Sequence, residues 1–254
     1  MNKTIFITGA TSGIGKACAE KFAKENYNLI LTGRRKDRLD LLEKELTQTY
    51  SVKVLTLCFD VQDKEAVFEN INALPAEWQQ INILLNNAGL ALGKDPFDTA
   101  NLEDWETMLN TNVHGLLYVT KAILPFLKQT KNSHIINMGS IAGKEVYENG
   151  NIYCASKSAV DAISKSMRID LVKYGIKVTA IHPGAVETEF SLVRFKGDEN
   201  KAAATYQDYI PLSGNDIADS IYFCATLPAH VCINDLNITC LNQASAVYLY
   251  KPQK

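Results

Sequence analysis

The sequence predicts an α/β fold: a doubly wound parallel seven-stranded sheet with helices on both faces. Three observations predict it. Short apolar runs alternate with longer amphipathic stretches along the whole chain. Several runs are continuously apolar, the pattern of parallel strands covered on both faces. The connections are short, as in βαβ units with right-handed crossovers. No linker, repeat or low-complexity segment interrupts the alternation, so residues 1–254 are expected to form a single domain.

Taken in order, Thr4–Thr8 reads as the first strand and Gly15–Lys24 as the first helix. Asn28–Thr32 is the second strand, followed by a helix over Arg38–Thr49 with Leu39, Leu42 and Leu46 at helical spacing. Val52–Phe59 precedes a helix over Lys64–Ala73, and Ile81–Leu85 precedes one long helix over Leu102–Lys128 capped by Asn101. His134–Met138 leads to a helix over Ile152–Lys173, Lys177–Ile181 to one over Asp216–Thr226, and Leu236–Thr239 closes the sheet. The stretch 183–211 has no such pattern and follows a strand. Ligands of open α/β sheets bind beyond the carboxyl ends of the strands, so this stretch reads as a substrate loop, a lid. The tail "VYLYKPQK" either reaches a neighbouring subunit or frays.

Hydrophobic residues make up 46% of the chain and charged residues 21%, ordinary for a protein with a sizeable core. A formal net charge of -2 argues against a nucleic-acid partner or a membrane surface. The opening residues run into a strand pattern without an apolar leader, and no apolar run approaches the roughly 20 residues of a membrane span; a cytoplasmic protein is expected. The cysteines, Cys18, Cys58, Cys154, Cys224, Cys232 and Cys240, form no C-x-x-C pair, so they are expected to be buried or half-buried thiols, with no metal site.

The turn after the first strand reads "TGATSGIG". Gly9, Gly13 and Gly15, with Thr11, Ser12 and Ile14 between them, let the backbone approach a pyrophosphate at a helix N-terminus. The spacing differs from G-x-G-x-x-G and lacks the lysine of an ATP-binding P-loop. Where a ribose-binding carboxylate usually ends the second strand, Arg34 and Arg35 stand instead. They are either a solvated charge run or a site for the 2′-phosphate of NADP, and cations at the positive end of a helix favour the second. Asp60, followed by Val61, either accepts a hydrogen bond from adenine or caps the next helix. Asn87, Ala88 and Gly89, at the end of the fourth strand, suit close contact with a cofactor.

Tyr153 and Lys157 lie one helical turn apart in "IYCASKSA". An ammonium beside a phenol favours the phenolate and lowers a pKa that is ordinarily near 10. Such a pair makes a general acid/base for neutral pH; alternatively the tyrosine packs and the lysine snorkels. Ser140 ends the fifth strand, where its hydroxyl reaches a substrate oxygen. Asn112 lies mid-helix, where asparagine is a mediocre helix former and a polar relay is the better use.

The set T-G-x-x-x-G-x-G, N-N-A-G, Asn112, Ser140, Y-x-x-x-K and Pro183-Gly184, in this order over essentially the whole chain, resembles the short-chain dehydrogenase/reductase family. The resemblance implies a Rossmann-like fold, NADP, a catalytic tetrad of Asn112, Ser140, Tyr153 and Lys157, and a homotetramer. Tyr153 and Lys157 would also touch the cofactor, and Pro183, Gly184, Val186 and Thr188 of "IHPGAVET" would hold its nicotinamide end. The stretches "NNAGLALG", "EDWETML", "FSLVRFKGD" and "TLPAHVCIN" resemble the NADP-dependent 3-hydroxy acid dehydrogenases, which act on short 3-hydroxy and 3-oxo acids.

Such a substrate needs a cation for its carboxylate. Arg194 is the candidate, with Lys196 in reserve; otherwise Arg194 is a surface residue of a loop. Tyr147 either lines the pocket beside Ser140 or packs. Two rival readings stay open: a carbonyl reductase for neutral ketones or aldehydes, indifferent to Arg194, and an NADP-binding regulator without turnover.

Overall fold

A strand buried on both faces needs a neighbour along each edge, and the seven apolar runs supply one another. The computed structural model describes residues 2–251. The strands are β1 (Thr4–Ile7), β2 (Asn28–Gly33), β3 (Val54–Cys58), β4 (Ile83–Asn86), β5 (His134–Met138), β6 (Lys177–Pro183) and β7 (Asp235–Ile238). They form one sheet in the order β3-β2-β1-β4-β5-β6-β7, and every neighbouring pair is parallel. The chain winds outward one way through β2 and β3, returns, and winds the other way from β4. The switch between β1 and β4 opens a crevice at the strands' carboxyl ends.

Alternation along each strand divides the core. Ile5 and Ile7 of β1 and Leu29 and Leu31 of β2 face α1 (Gly13–Lys24), α2 (Lys36–Thr49) and α9 (Gly214–Thr226). Phe6 and Ile30, pointing the other way, pack with Val67 and Ile71 of α3 (Lys64–Asn72) and Val119, Ile123 and Leu127 of α5 (Leu116–Gln129). The terminal residues 1 and 252–254, including the end of the expected tail, lie outside the described residues. Within them, Gln243 and Leu249 bridge antiparallel and the Tyr250 amide donates to the Asn242 carbonyl.

The structure corrects three expectations. The helix expected over Leu102–Lys128 is interrupted: α4 (Leu102–Leu109), capped by Asn101, gives way to a π-helical turn over Asn110–Gly115 before α5 resumes. The stretch 183–211 is not irregular throughout, since α7 (Phe190–Arg194) and α8 (Glu199–Ala204) fold within it. Cys58 is exposed, because β3 is an edge strand and its last residue has no neighbour on the outer side.

Candidate active site

The crevice is a cavity of about 680 Å³ running along the strand ends. At one end Gly9 and Gly13 take left-handed φ angles of 65° and 52°, conformations glycine adopts without strain. A side-chain carbon on Gly15 would run into the Gly9 carbonyl oxygen. Among the described residues no side chain caps the start of α1 at Ser12, so its first N–H groups stay available to the cavity. Asn87 fixes the loop from across the switch point: its Nδ2 donates to the Thr8 carbonyl at 2.9 Å and the Gly9 carbonyl at 3.1 Å. Thr32 Oγ1 and Thr111 Oγ1, both on residues lining the cavity, are buried and have no partner among the described residues. Bare backbone donors, unpartnered hydroxyls and arginines at one end form a cradle that fits a phosphorylated dinucleotide.

The arginine end is more elaborate than its sequence suggested. Arg34 Nη1 reaches Asp60 Oδ2 at 3.2 Å, so the carboxylate expected to face adenine already has a cationic partner. Arg35 donates to Thr11 Oγ1, to Ser12 Oγ at 2.9 Å and to Glu189 Oε2 at 3.0 Å, while Arg38 takes Glu189 Oε1 at 2.7 Å. Arg35 thus ties the glycine loop to the start of the lid. Glu189, missed in the sequence, lies 154 residues from Arg35, and no local pattern signals such a pair.

The other end holds the reactive side chains. Ser140 follows β5, and Tyr153 and Lys157 lie on α6 (Asn151–Leu171); all three are buried. Asn112 sits inside the π-helical turn, where its Nδ2 donates to the Leu90 carbonyl at 2.8 Å and Ser156 Oγ at 3.0 Å. Its Oδ1 accepts from the Leu90 amide at 2.8 Å. Lys157 Nζ donates to the Met138 carbonyl at 2.9 Å, and burial lowers its pKa to about 8. The phenol of Tyr153 moves opposite to the sequence expectation. Burial drives its pKa well above the ordinary value and Tyr147 adds to this, while Ser140 and Arg194 pull the other way.

Ser140 Oγ accepts from the Ala142 amide at 3.1 Å and lies a long 3.5 Å from the Pro183 carbonyl, so its proton is free to turn toward a ligand. Phe190, also missed in the sequence, sets its ring 5.7 Å from that of Tyr153. Tyr147 lines the cavity. The Arg194 guanidinium lies 5.5 Å from the Tyr147 ring and 5.6 Å from the Tyr153 ring, held by Nε donating to the Gly93 carbonyl at 3.1 Å. No carboxylate pairs with Arg194 among the described residues. Lys196, the reserve cation, is paired with Asp104 at 2.7 Å. Thr188 packs against Gly13, and Val186 bridges to Leu212 beside Pro183 and Gly184 in the cavity wall.

A family model described as short chain dehydrogenase matches residues 3–198. The NADP-dependent 3-hydroxy acid dehydrogenase of Salmonella typhi is 45% identical over 243 residues, 95% of this chain and 96% of that protein. Sulfoacetaldehyde reductase 2 of Chromohalobacter salexigens is 44% identical over 249 residues, 98% of each chain. Among solved structures, the closed form of serine dehydrogenase complexed with NADP+ is similar with a TM-score of 0.90 and 44% identity, covering 98% of this chain and 100% of that one.

Proposed function

The chain belongs to the short-chain dehydrogenase family, and from that premise we propose that it interconverts a short 3-hydroxy acid and its 3-oxo acid, with Tyr153 as general acid/base. It is an NADP-dependent oxidoreductase. When bound, the nicotinamide gives or takes the hydride.

The chain's own residues do the rest. The phenol of Tyr153, held protonated by its burial, donates to the substrate oxygen during reduction and is left as the phenolate; oxidation starts from that phenolate, which takes the proton of the substrate hydroxyl. The Ser140 hydroxyl turns to the same oxygen and stabilises its developing charge. Asn112 fixes the Leu90 backbone behind Tyr153, and Lys157 keeps a positive charge beneath the site. Arg34 and Arg35 would hold the 2′-phosphate, and the glycine loop would hold the pyrophosphate. Asp60 and Val61 would flank the adenine end, and Pro183, Gly184, Val186 and Thr188, with Asn87, Ala88 and Gly89, all lining the cavity, would wall the nicotinamide end.

One observation carries the substrate class. Arg194 is a cation without a carboxylate partner among the described residues, 5.6 Å from the Tyr153 ring, in a partly buried cavity. That placing suits a substrate whose anionic group sits one short carbon chain from its reacting oxygen. The test is steady-state NADP+ reduction by L-serine, L-allo-threonine and 3-hydroxypropionate, each beside its uncharged amide, in wild type and Arg194→Ala. Fast turnover of the acids, poor turnover of the amides and loss of that contrast in Arg194→Ala are expected. Equal rates for acid and amide would move the assignment to a neutral carbonyl reductase.

A second reading follows from the sulfoacetaldehyde reductase relative: a sulfonate presents the same anionic oxygens to Arg194. Sulfoacetaldehyde reduction by NADPH, run beside a short 3-oxo acid, separates the two. A homotetramer in a cytoplasmic setting completes the proposal. Ile169, Val172 and Tyr174 stand exposed at the end of α6, with Leu109 and Leu117 beside the π turn, and the described cysteines are all free thiols. Light scattering checks the assembly state.

A further inference from the structure

Behind Ser140 lies a charged cluster that the proposed reaction does not use, buried at His182 and Asp161 and open to solvent at Asp235, Lys144 and Lys165. His182, next to last in β6, has no exposed surface. β5 and β6 pair Met138 with Ile181, and the Gly139 amide donates to the Ile181 carbonyl at 2.7 Å, so the two strand ends are locked side by side. A side-chain carbon on Gly139 would collide with the imidazole, so glycine there lets the ring lie directly against the Gly139–Ser140 turn. His182 Nδ1 is 3.3 Å from the Ser140 carbonyl oxygen.

On its far side Nε2 is 3.1 Å from Asp235 Oδ1 and 3.7 Å from Asp161 Oδ1. Lys144 Nζ bridges these same two oxygens at 2.6 Å to Asp161 and 3.1 Å to Asp235. Lys165 Nζ takes the other oxygen of Asp161 at 2.8 Å, and Arg168 stands 3.8 Å from Asp235. His182, Asp161 and Asp235 are grouped closely enough to hold a metal ion, but the Lys144 ammonium already bridges the two carboxylates.

Both ring nitrogens of His182 face acceptors. A neutral imidazole has one N–H, so its tautomer decides whether the Ser140 carbonyl or the carboxylate side receives the bond. The Ser140 backbone is held in an extended conformation, and its Oγ faces the carbonyl of Pro183, the residue after His182. His182 and Pro183 therefore meet Ser140 at both its carbonyl and its hydroxyl.

We propose that His182 is a positioning residue for Ser140: anchored from behind by Asp235 and Asp161, its ring fixes the Ser140 carbonyl and with it the place from which the hydroxyl reaches the substrate. The inference rests on the reading of Ser140 as a donor to the substrate oxygen. The cluster joins α6, β7 and the segment after Ser140, so the serine's placement is set by packed charge rather than by the loop that carries it.

The test uses the full chain with NADP+ and 3-hydroxypropionate, L-serine being substituted if it turns over faster. It compares wild type with His182→Leu, His182→Asn, His182→Gln, Ser140→Ala and the Ser140→Ala/His182→Leu double variant. The asparagine amide takes the place of Nδ1 and keeps the bond to the Ser140 carbonyl. The glutamine amide reaches toward Asp235 instead. His182→Leu is expected to lower kcat about 10- to 100-fold, as small misplacements near reacting groups do, with the KM and the NADP+ Kd from fluorescence titration within about twofold of wild type. His182→Asn is expected to recover most of kcat, and His182→Leu to have no further effect on Ser140→Ala.

A wild-type kcat in His182→Leu overturns the inference. So does an equal further loss on the Ser140→Ala background, which would make the two residues independent. Should His182→Leu not fold, the polar pair decides: asparagine active and glutamine impaired supports the inference, and equal activity overturns it. If Ser140→Ala itself keeps full kcat, the reading of Ser140 fails and takes this inference with it. If Ser140→Ala is impaired while every His182 variant is normal, only the His182 inference fails.

Discussion

Burial does opposite things to the two groups that a four-residue spacing brings together. It lowers Lys157 toward neutrality and raises Tyr153 away from it, so at pH 7 the phenol holds its proton. Two predictions belong to this residue. Tyr153→Phe should lower kcat by about 10²- to 10⁴-fold while leaving NADP+ affinity in fluorescence titration unchanged. The kcat/KM for carbonyl reduction should be set by Lys157 and not by Tyr153, level up to about pH 7 and falling through about pH 8 as the ammonium loses its charge, since the phenol holds its proton above the ordinary tyrosine range; pH profiles to pH 10 check this. His134 carries a separate pH effect. Its Nε2 lies 2.7 Å from Thr179 Oγ1, whose own proton goes to the Ile233 carbonyl at 2.6 Å, so Nε2 holds the ring's proton, and Nδ1 has no partner among the described residues. Burial pushes its pKa down to about 3. The unfolded chain binds a proton below about pH 6.5 that the folded chain refuses, so stability is lost as pH falls from there toward 3, by up to about 4–5 kcal/mol. Urea unfolding at pH 7, 5 and 4 should show a shallower pH dependence in His134→Gln.

At the scale of elements, the strands were legible because each is a short apolar run, and His134–Met138 forms over the residues its pattern marks. The π-helical turn was not. Apolar spacing before and after it obeys the 3.6 period separately, so the two halves read as one helix. Its trace in the sequence was Asn112, a poor helix former in mid-helix, now seen bonded to both polar groups of the Leu90 backbone. Asn112→Ala should therefore leave those buried groups unpaired and destabilise the fold by about 1–3 kcal/mol for each, measurable by thermal unfolding. The glycine loop was legible from its context between strand and helix. What its letters did not disclose is that Asn87 of β4's end fastens it, because that contact spans 79 residues.

At the scale of the molecule, strand order decides what meets. β1 and β4 are neighbours, so the glycine loop and the Asn87–Gly89 turn face each other across the switch point. The cavity, its arginine end and its tyrosine end follow from that order. The long-range pairs that finish it, Arg35 with Glu189 and Arg194 with Gly93, leave no mark in local sequence and emerge only in the folded chain. Arg34→Ala should weaken NADP+ by roughly tenfold or more and spare NAD+, since a charge-assisted phosphate contact is worth about 1.5–3 kcal/mol; titration with both nucleotides checks it. The turn at Asn110–Gly115 has one last consequence. A π-helical turn amounts to one surplus residue in an α-helix, so a gene shortened by a single codon there would encode an uninterrupted helix that rotates Asn112 away from Leu90. The shortened chain would gain a regular helix and lose both partners of the Leu90 backbone, so turnover and stability together would hold the length of this gene fixed.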